Sequence, residues 1–454
     1  MNKEELLEYA GITERQFLGL DVIRKSLYLQ LLESLPEGFN PNVSGNLGLR
    51  GATSIPKGFN PTVTGTLDLR SLKSVHKGFN PTVGENLWLN SLESLPKGLN
   101  PVITGSLDLR SVTSIPKEFN PTVGQNLRLS SLKSIHKEFN PVVGGTLDLE
   151  SLTLVHEGFN LVVGESLDLG SLKSTPKEFN PTVGKNLNLC DVVLIHEGFN
   201  PIIGKDLYLE SLKSIPKGFN PIVGGNIDLG CTTSIPENFS LIVGGDIWLD
   251  SLISIPKNFN PTIGGNLDLR GVTSIPEDFN PIIKGGLWLN GSVKTPKNWY
   301  EGKCQYQDVS SLLSWKDGKY VRVDGIFTEV LHTRGNIRKA KKLDSDKEFY
   351  LVTDGNGNYA HGNTIREANQ DLLFKTTRRN KSDYEELGVD SVLPYVDAII
   401  CYRVITGACS FGTKDFLNNR LKNKQKQYSI KEIIELTKNE YKGEEFKEFF
   451  TKSL

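Results

Sequence analysis

Cysteine is scarce in this chain, with five in 454 residues, an odd number and no Cys-x-x-Cys spacing. That argues against a disulfide-stapled secreted domain and for a reducing compartment. An excess of charge of either sign is also missing. The 52 lysines and arginines face 53 aspartates and glutamates, for a net charge of −1, so no global field marks the chain for nucleic acid or a membrane surface. Splitting it at residue 300 gives 26 basic against 30 acidic residues before the cut and 26 against 23 after it, a mild asymmetry. No run approaches the roughly 18 apolar residues of a membrane span. The opening Met1-Asn-Lys-Glu-Glu-Leu-Leu7 has no apolar leader core. No membrane contact and a cytoplasmic location are the expectations.

What the chain does contain is a repeat. Leu-x-Leu pairs, with Ile for the first leucine at 227 and 247, stand at 27/29, 47/49, 67/69 and onward to 287/289, every 20 residues, without an insertion or deletion. A Phe-Asn-Pro or near equivalent follows each pair ten residues later, from Phe39 to Phe279. Only coils of equal length stacked on one another need so strict a register, because one extra residue would turn an apolar side chain outward. Fixed self-similarity of this length marks a solenoid. Leu-x-Leu is a period-two element, hence a short strand stacked in parallel about 4.8 Å from its neighbours. The return path holds Pro, Gly and Asn-Pro, which excludes an α-helix and favours extended or turn backbone.

Leu-x-Leu-x-x-Leu-x-x-Ile-Pro at period 20, met as Leu267-Asp-Leu-Arg-Gly-Val-Thr-Ser-Ile-Pro276, resembles the short leucine-rich repeats of bacterial and phage proteins. The resemblance implies a mainly β chain with a right-handed, leucine-rich-repeat-like β-solenoid of about fourteen coils over residues 26–298. A helical cap at 1–25 and a C-terminal α+β domain at 299–454 complete the expected order. One position departs from the pattern. Three residues after the second leucine, where the repeats usually carry Asn or Cys, stand Leu72, Leu132, Leu212 or Val272. An Asn column runs instead through Asn40, Asn60 and Asn80 to Asn280, with Ser240 the one exchange. It is expected to do the ladder's job, amides hydrogen-bonding between coils. Whether the coil is that of true leucine-rich repeats or of a flatter β-solenoid stays open at this point.

Two outward columns vary where the inward ones do not. Between the paired leucines run Tyr28, Gly48, Asp68, Trp88, Asp108, Arg128, Asp148, Asp168, Asn188, Tyr208, Asp228, Trp248, Asp268 and Trp288. The next column includes Arg50, Arg70 and Arg110 early, then Glu150, Glu210 and Asp250. Acid tends to alternate with something large, and stacked carboxylates repel, so spacing them apart has a purely structural reason. Exposed Trp and Tyr on a rigid sheet are also what binding hot spots are made of. The graded charge suits a protein partner better than nucleic acid, which wants a uniform basic stripe. The expected partner-binding face therefore carries the aromatic, aspartate and arginine residues of these columns. His76, His136, His156 and His196 replace Pro in the bend after the strand, with only His136 and His156 on adjacent coils. No metal site and no cofactor are expected.

At the N-terminus, Lys3 to Tyr9 reads as a short helix, and Thr13-Glu-Arg-Gln16 as a capping box opening a second one. Phe17, Leu18, Leu20, Val22 and Ile23 would give that helix its buried face. At Trp299 the repeat fails. Residues 320–330, 337–343, 348–353 and 359–361 read as strands, with a hairpin at Asp354-Gly-Asn-Gly-Asn358. Thr364 and Glu367 box the start of a helix running to Phe374, and residues 394–405, 413–421, 429–437 and 444–450 read as further helices. The step Gly362-Asn-Thr-Ile-Arg-Glu-Ala368 is similar to one in small bacterial β-β-α modules, some antitoxins among them. Short repeats before a C-terminal domain also resemble bacterial effector ubiquitin ligases, but their Cys-x-Asp is absent from Cys304, Cys401 and Cys409. The two last cysteines read as small buried residues. His361 near Asp354 is the one acid–base pair local sequence offers, and a lone histidine is more often structural. No catalytic residue is assigned.

The expectation is a non-enzymatic protein-recognition scaffold, encoded by a phage or bacterium, that binds and modulates a host or rival protein through the solenoid face. The alternative is a nucleic-acid-binding or enzymatic effector in residues 299–454. Its phosphate contacts would be Arg338, Lys339, Lys341, Lys342, Arg378 and Arg379.

Overall fold

The computed structural model describes residues 2–239, 241–294, 313–376, 381–408, 410–421 and 424–451. Ser240, Trp299, Cys304, Arg378, Arg379 and Cys409 lie outside them. The chain divides into two compact units, Met1–Gln305 and Tyr306–Leu454.

The first unit is a β-solenoid. Its Leu-x-Leu segments form one parallel sheet of fourteen strands, each two residues long, from Leu27–Tyr28 to Leu287–Trp288. Every strand pairs with the one 20 residues on, Leu27 opposite Leu47 and Leu267 opposite Leu287. Thirteen turns therefore separate the first strand from the last. The leucines point inward and are almost wholly buried from Leu27 to Leu269.

A second parallel sheet was not anticipated. Val22–Ile23 and the residue pairs that follow Asn-Pro in most coils, from Asn42–Val43 to Ile282–Ile283, also stack as strands, in runs of four and ten. β-Branched residues favour this extended backbone, and the inner member of each pair is buried. The break between the runs falls between Thr82–Val83 and Val102–Ile103, beside Leu99, which stands where the other coils carry Phe. Between the sheets the phenylalanines stack face to face, Phe159 to Phe179 at 6.2 Å and Phe179 to Phe199 at 5.9 Å between ring centres. Close coil approach explains one glycine column: a Cβ on Gly164 would stand 2.0 Å from the Gly144 carbonyl oxygen.

The Asn column does join the coils, but by binding backbone instead of other amides. Asn40 Oδ1 accepts the N–H of Asn60 at 2.7 Å, and Asn100 Oδ1 that of Asn120 at 2.7 Å. The same amides donate forward, Asn60 Nδ2 to the Gly78 carbonyl at 3.0 Å and Asn120 Nδ2 to that of Glu138 at 3.0 Å. The proline that follows nearly every Asn has no N–H to offer the next coil, so the side chain takes up the link. A second ladder went unread in the sequence. In most coils the residue just before the leucine pair accepts the N–H of its counterpart 20 residues on: Asn46 from Thr66 at 2.8 Å, Asn226 from Asp246 at 2.7 Å and Asp246 from Asn266 at 2.6 Å.

The cap differs from expectation in its second part. The helix Lys3–Ala10 ends at Gly11, but the next is a single turn, Glu14–Phe17, closed by the Thr13 and Gln16 box. Gly19, at φ 73°, turns the chain out of the helix. Phe17 and Ile23 are buried, whereas Leu18, Leu20 and Val22 are exposed, and Val22–Ile23 opens the second sheet.

The second unit is an antiparallel six-stranded meander curved into a half-barrel, with helices. The stretch expected as one strand is two, Tyr320–Val323 and Ile326–Arg334, because Asp324 and Gly325, both at positive φ, make a tight hairpin turn. A further strand, Leu313–Trp315, precedes them. The helix Ile365–Thr376 packs on the last two strands through Ala368 and Leu372. The helices Tyr395–Thr406, Ser410–Asn419, Ile430–Thr437 and Gly443–Thr451 follow. Residues from three of these, including Cys401, Ile405, Ile433, Phe446 and Phe450, form a separate small core.

Candidate binding face

The outer surface of the fourteen-stranded sheet carries both varying columns. Its aspartates have a local task that explains why they recur. In every coil with Asp between the leucines, the carboxylate accepts the N–H of the residue two positions on, bridging the strand to its turn. The distances are 3.2 Å for Asp148 with Glu150, 2.9 Å for Asp168 with Gly170 and 2.9 Å for Asp228 with Gly230. Asn188 does the same for Cys190 at 3.1 Å.

Three of these aspartates are also held by arginine. Arg70 meets Asp68 through Nε and Nη2, both at 2.9 Å. Arg110 clamps Asp108 at 3.0 and 2.6 Å, and Arg270 clamps Asp268 at 2.9 and 2.6 Å. Asp108 and Asp268 are thereby only 4% and 1% exposed, where exposed carboxylates were expected. Their place on the face stands, but the arginine above each is what a partner would meet. Burial pushes the Asp108 carboxyl up, and the hydrogen bonds and charge of Arg110 outweigh it, so it stays below the usual carboxylate range. Asp168 goes the other way, raised first by burial and further by Asp148, directly opposite it on the next strand. That adjacency breaks the expected alternation of acid with bulk.

The most exposed aromatics stand at the two ends of the face. Tyr28 is 56% and Trp288 46% exposed. Trp88, Tyr208 and Trp248 are half-buried. The Arg70 guanidinium lies 4.5 Å over the Trp88 ring and that of Arg270 5.9 Å over Trp288, cation–π contacts that stiffen both members. Exposed charge is uneven along the face: Arg50, Arg110 and Arg128 stand on the early coils and Glu150, Glu210 and Asp250 on later ones, but Arg270 beyond them breaks the expected gradient.

A concavity opens on this face at its N-terminal end. A notch of about 290 Å³ is lined by Tyr28, Gly48, Arg50, Asp68, Arg70 and Trp88 among others. Gly48 is the lone glycine in its column, and a Cβ there would meet the Tyr28 ring at 2.7 Å. That exception in the column is the signal of the notch in the sequence. Tyr28 is fixed by the Asn46 amide, which donates to its hydroxyl at 3.3 Å. Arg50 is exposed and has no hydrogen-bond or ion-pair partner among the described residues.

The second unit brings its ionisable groups inward. His361 does not pair with Asp354, which instead caps its own hairpin by accepting the N–H groups of Asn356 at 2.8 Å and Asn358 at 3.2 Å. His361 is fully buried, with Nδ1 3.6 Å from Asp324. Lys375 donates to the same Asp324 carboxylate and, at 2.8 Å, to the Tyr359 carbonyl. Burial holds His361 below the usual histidine range, since Lys375 already answers the Asp324 charge. Burial opposes ionisation of Asp324, but Lys375 and His361 together hold it below the ordinary carboxylate range. Arg403 similarly donates to buried Asp371, which also accepts the Ser410 N–H at 2.9 Å. Such a closed network presents no imidazole to an outside substrate. Cys401 is buried and its thiol is pushed up to about 12 by burial, far from a reactive thiolate.

The basic run is divided. Strand alternation sets Arg338 and Lys339 on opposite sides of the sheet. Lys339 is paired with Glu348 at 2.5 Å and Lys341 with Asp346 at 3.3 Å. Among the described residues no group of His, Cys, Asp and Glu could hold a metal, and no helix is long and apolar enough to cross a membrane.

No family model, curated protein or solved structure matches the chain. Its function must be argued from the face itself.

Proposed function

We propose that the chain is a protein-recognition scaffold whose working surface is the outer face of the fourteen-stranded sheet, presented as short leucine-rich repeats present theirs. The observation that carries this reading is the pairing of aromatic and arginine side chains, fixed in place, on a backbone held in register by two polar ladders. Preorganised anchors lose little entropy on binding, and Trp, Tyr and Arg are the residues on which binding energy concentrates. The outer column of the second sheet is the competing surface. Its exposed members, such as Thr82, Val102, Thr122 and Val162, are small, uncharged and without aromatics, so they offer less to specify a partner.

Photo-crosslinking separates the two surfaces. A benzoyl-phenylalanine placed at Arg128, exposed on the first sheet, should capture the partner in cells of the native host. The same residue at Val162, exposed on the second, should not. Capture from position 162 alone contradicts the proposal.

A further inference from the structure

We infer that the notch at the N-terminal end of the face is a subsite for an acidic side chain of a partner polypeptide, its carboxylate on Arg50 and a neighbouring aromatic ring against Tyr28. This inference rests on the reading of the face as a protein-recognition surface and names the chemistry of one anchor on it.

Four features of the notch converge on that ligand. Its shape depends on Gly48, whose missing Cβ lets the Tyr28 ring lie against the strand, since an added Cβ would meet that ring at 2.7 Å. Its walls are the exposed Tyr28 ring and the Arg70–Trp88 stack, 4.5 Å from guanidinium to ring centre, which together suit a planar group. Its volume of about 290 Å³ is at the lower edge of small-molecule pockets, about 300 Å³, and fits one or two side chains. Its charge balance sets the ionic state of the ligand. Arg70 is already neutralised by Asp68 through two bonds of 2.9 Å, whereas Arg50 has no partner among the described residues. The notch thus holds one uncompensated positive charge beside a carboxylate. A monoanion matches it, and Asp68 would repel a phosphate dianion. Carboxylates also suit the planar fork of arginine.

The test titrates the full-length protein with acetyl-Tyr-Glu-amide and its neutral isostere acetyl-Tyr-Gln-amide, following the indole N–H signal of Trp88, assigned with Trp88→Phe. The acidic peptide is expected to bind roughly tenfold tighter, the size of one charge-assisted hydrogen bond. Arg50→Gln should reduce the ratio to about one on the same argument. Gly48→Leu should abolish the Trp88 response to both peptides while the melting temperature holds. Equal binding of the two peptides, or a preference that survives Arg50→Gln, overturns the subsite. Capture through position 128 together with equal peptide binding sinks the subsite alone. Capture only through position 162 sinks the reading of the face, whatever the peptides do.

Discussion

In the solenoid, a backbone group that the strands leave unpaired is met by a side chain 20 residues away, and the solution is repeated coil after coil, Asn40 to Asn60 and Asn226 to Asp246. In the C-terminal unit, polar groups are met once each, by partners drawn from distant parts of the chain. Lys375 reaches Asp324 across 51 residues and Arg403 reaches Asp371 across 32. The solenoid keeps an apolar core of Leu, Phe and Val and meets its polar groups, buried Asp108 and Asp268 included, with near neighbours on its outer surface. The second unit buries charges and must satisfy each of them at one point. Damage should therefore be graded and local in the first, and abrupt in the second.

The largest effects should come from cutting into either interior. Lys375→Ala leaves the Asp324 carboxylate buried without its cation and should cost about 3–5 kcal/mol. Phe199→Ala removes a ring stacked between Phe179 and Phe219 and should cost about as much, 3–5 kcal/mol. The comparison lies in where the loss appears. Hydrogen exchange should show the whole second unit loosened by the first change, and only the coils around Phe199 by the second. Protection lost evenly along the solenoid in Phe199→Ala would break the contrast.

A ladder residue should matter less. Asn180 accepts the Asn200 N–H and donates to the Gly198 carbonyl at 3.1 Å. Asn180→Ala orphans these groups and should cost about 1–3 kcal/mol by chemical denaturation. No measurable loss would mean that water replaces the ladder freely.

The smallest effect is in pH. His361 is held below the usual histidine range by burial, so the unfolded chain binds a proton before the folded one does. Stability of the second unit should then fall as pH drops from about 6.5 toward the folded value, and hold above it. His361→Gln should flatten that slope, which urea unfolding from pH 7 to pH 5 would reveal. An unchanged slope would place the dependence elsewhere.

The two regions also differ in how far their sequence could be read. The register of the first sheet, its inward leucines and the place of the Asn column follow from period 20 alone, because neighbouring coils solve the same problem. The second sheet was missed because its strands are two residues long and begin after Asn-Pro, where a turn is as good a reading. Val22 and Ile23 read as part of the preceding helix because local pattern cannot see that Asn42–Val43 will lie beside them. On the face, Asp268 looked exposed because its column points outward, and nothing in spacing tells that Arg270 will fold back over it. Gly48 was legible in principle as the one gap in its column. The Asp324 partner of His361 was not, since a tertiary fold and no periodicity brings them together.

If the outer face is the recognition surface proposed above, inward residues carry the stability of the solenoid and outward ones its use. Replacing Tyr28, Trp88, Trp248 and Trp288 together by Ala, then measuring partner capture and thermal unfolding on the same protein, tests both halves at once. Lost capture with the solenoid's unfolding transition nearly unmoved is the expected result. Full retention of partners by a variant that melts normally would contradict it.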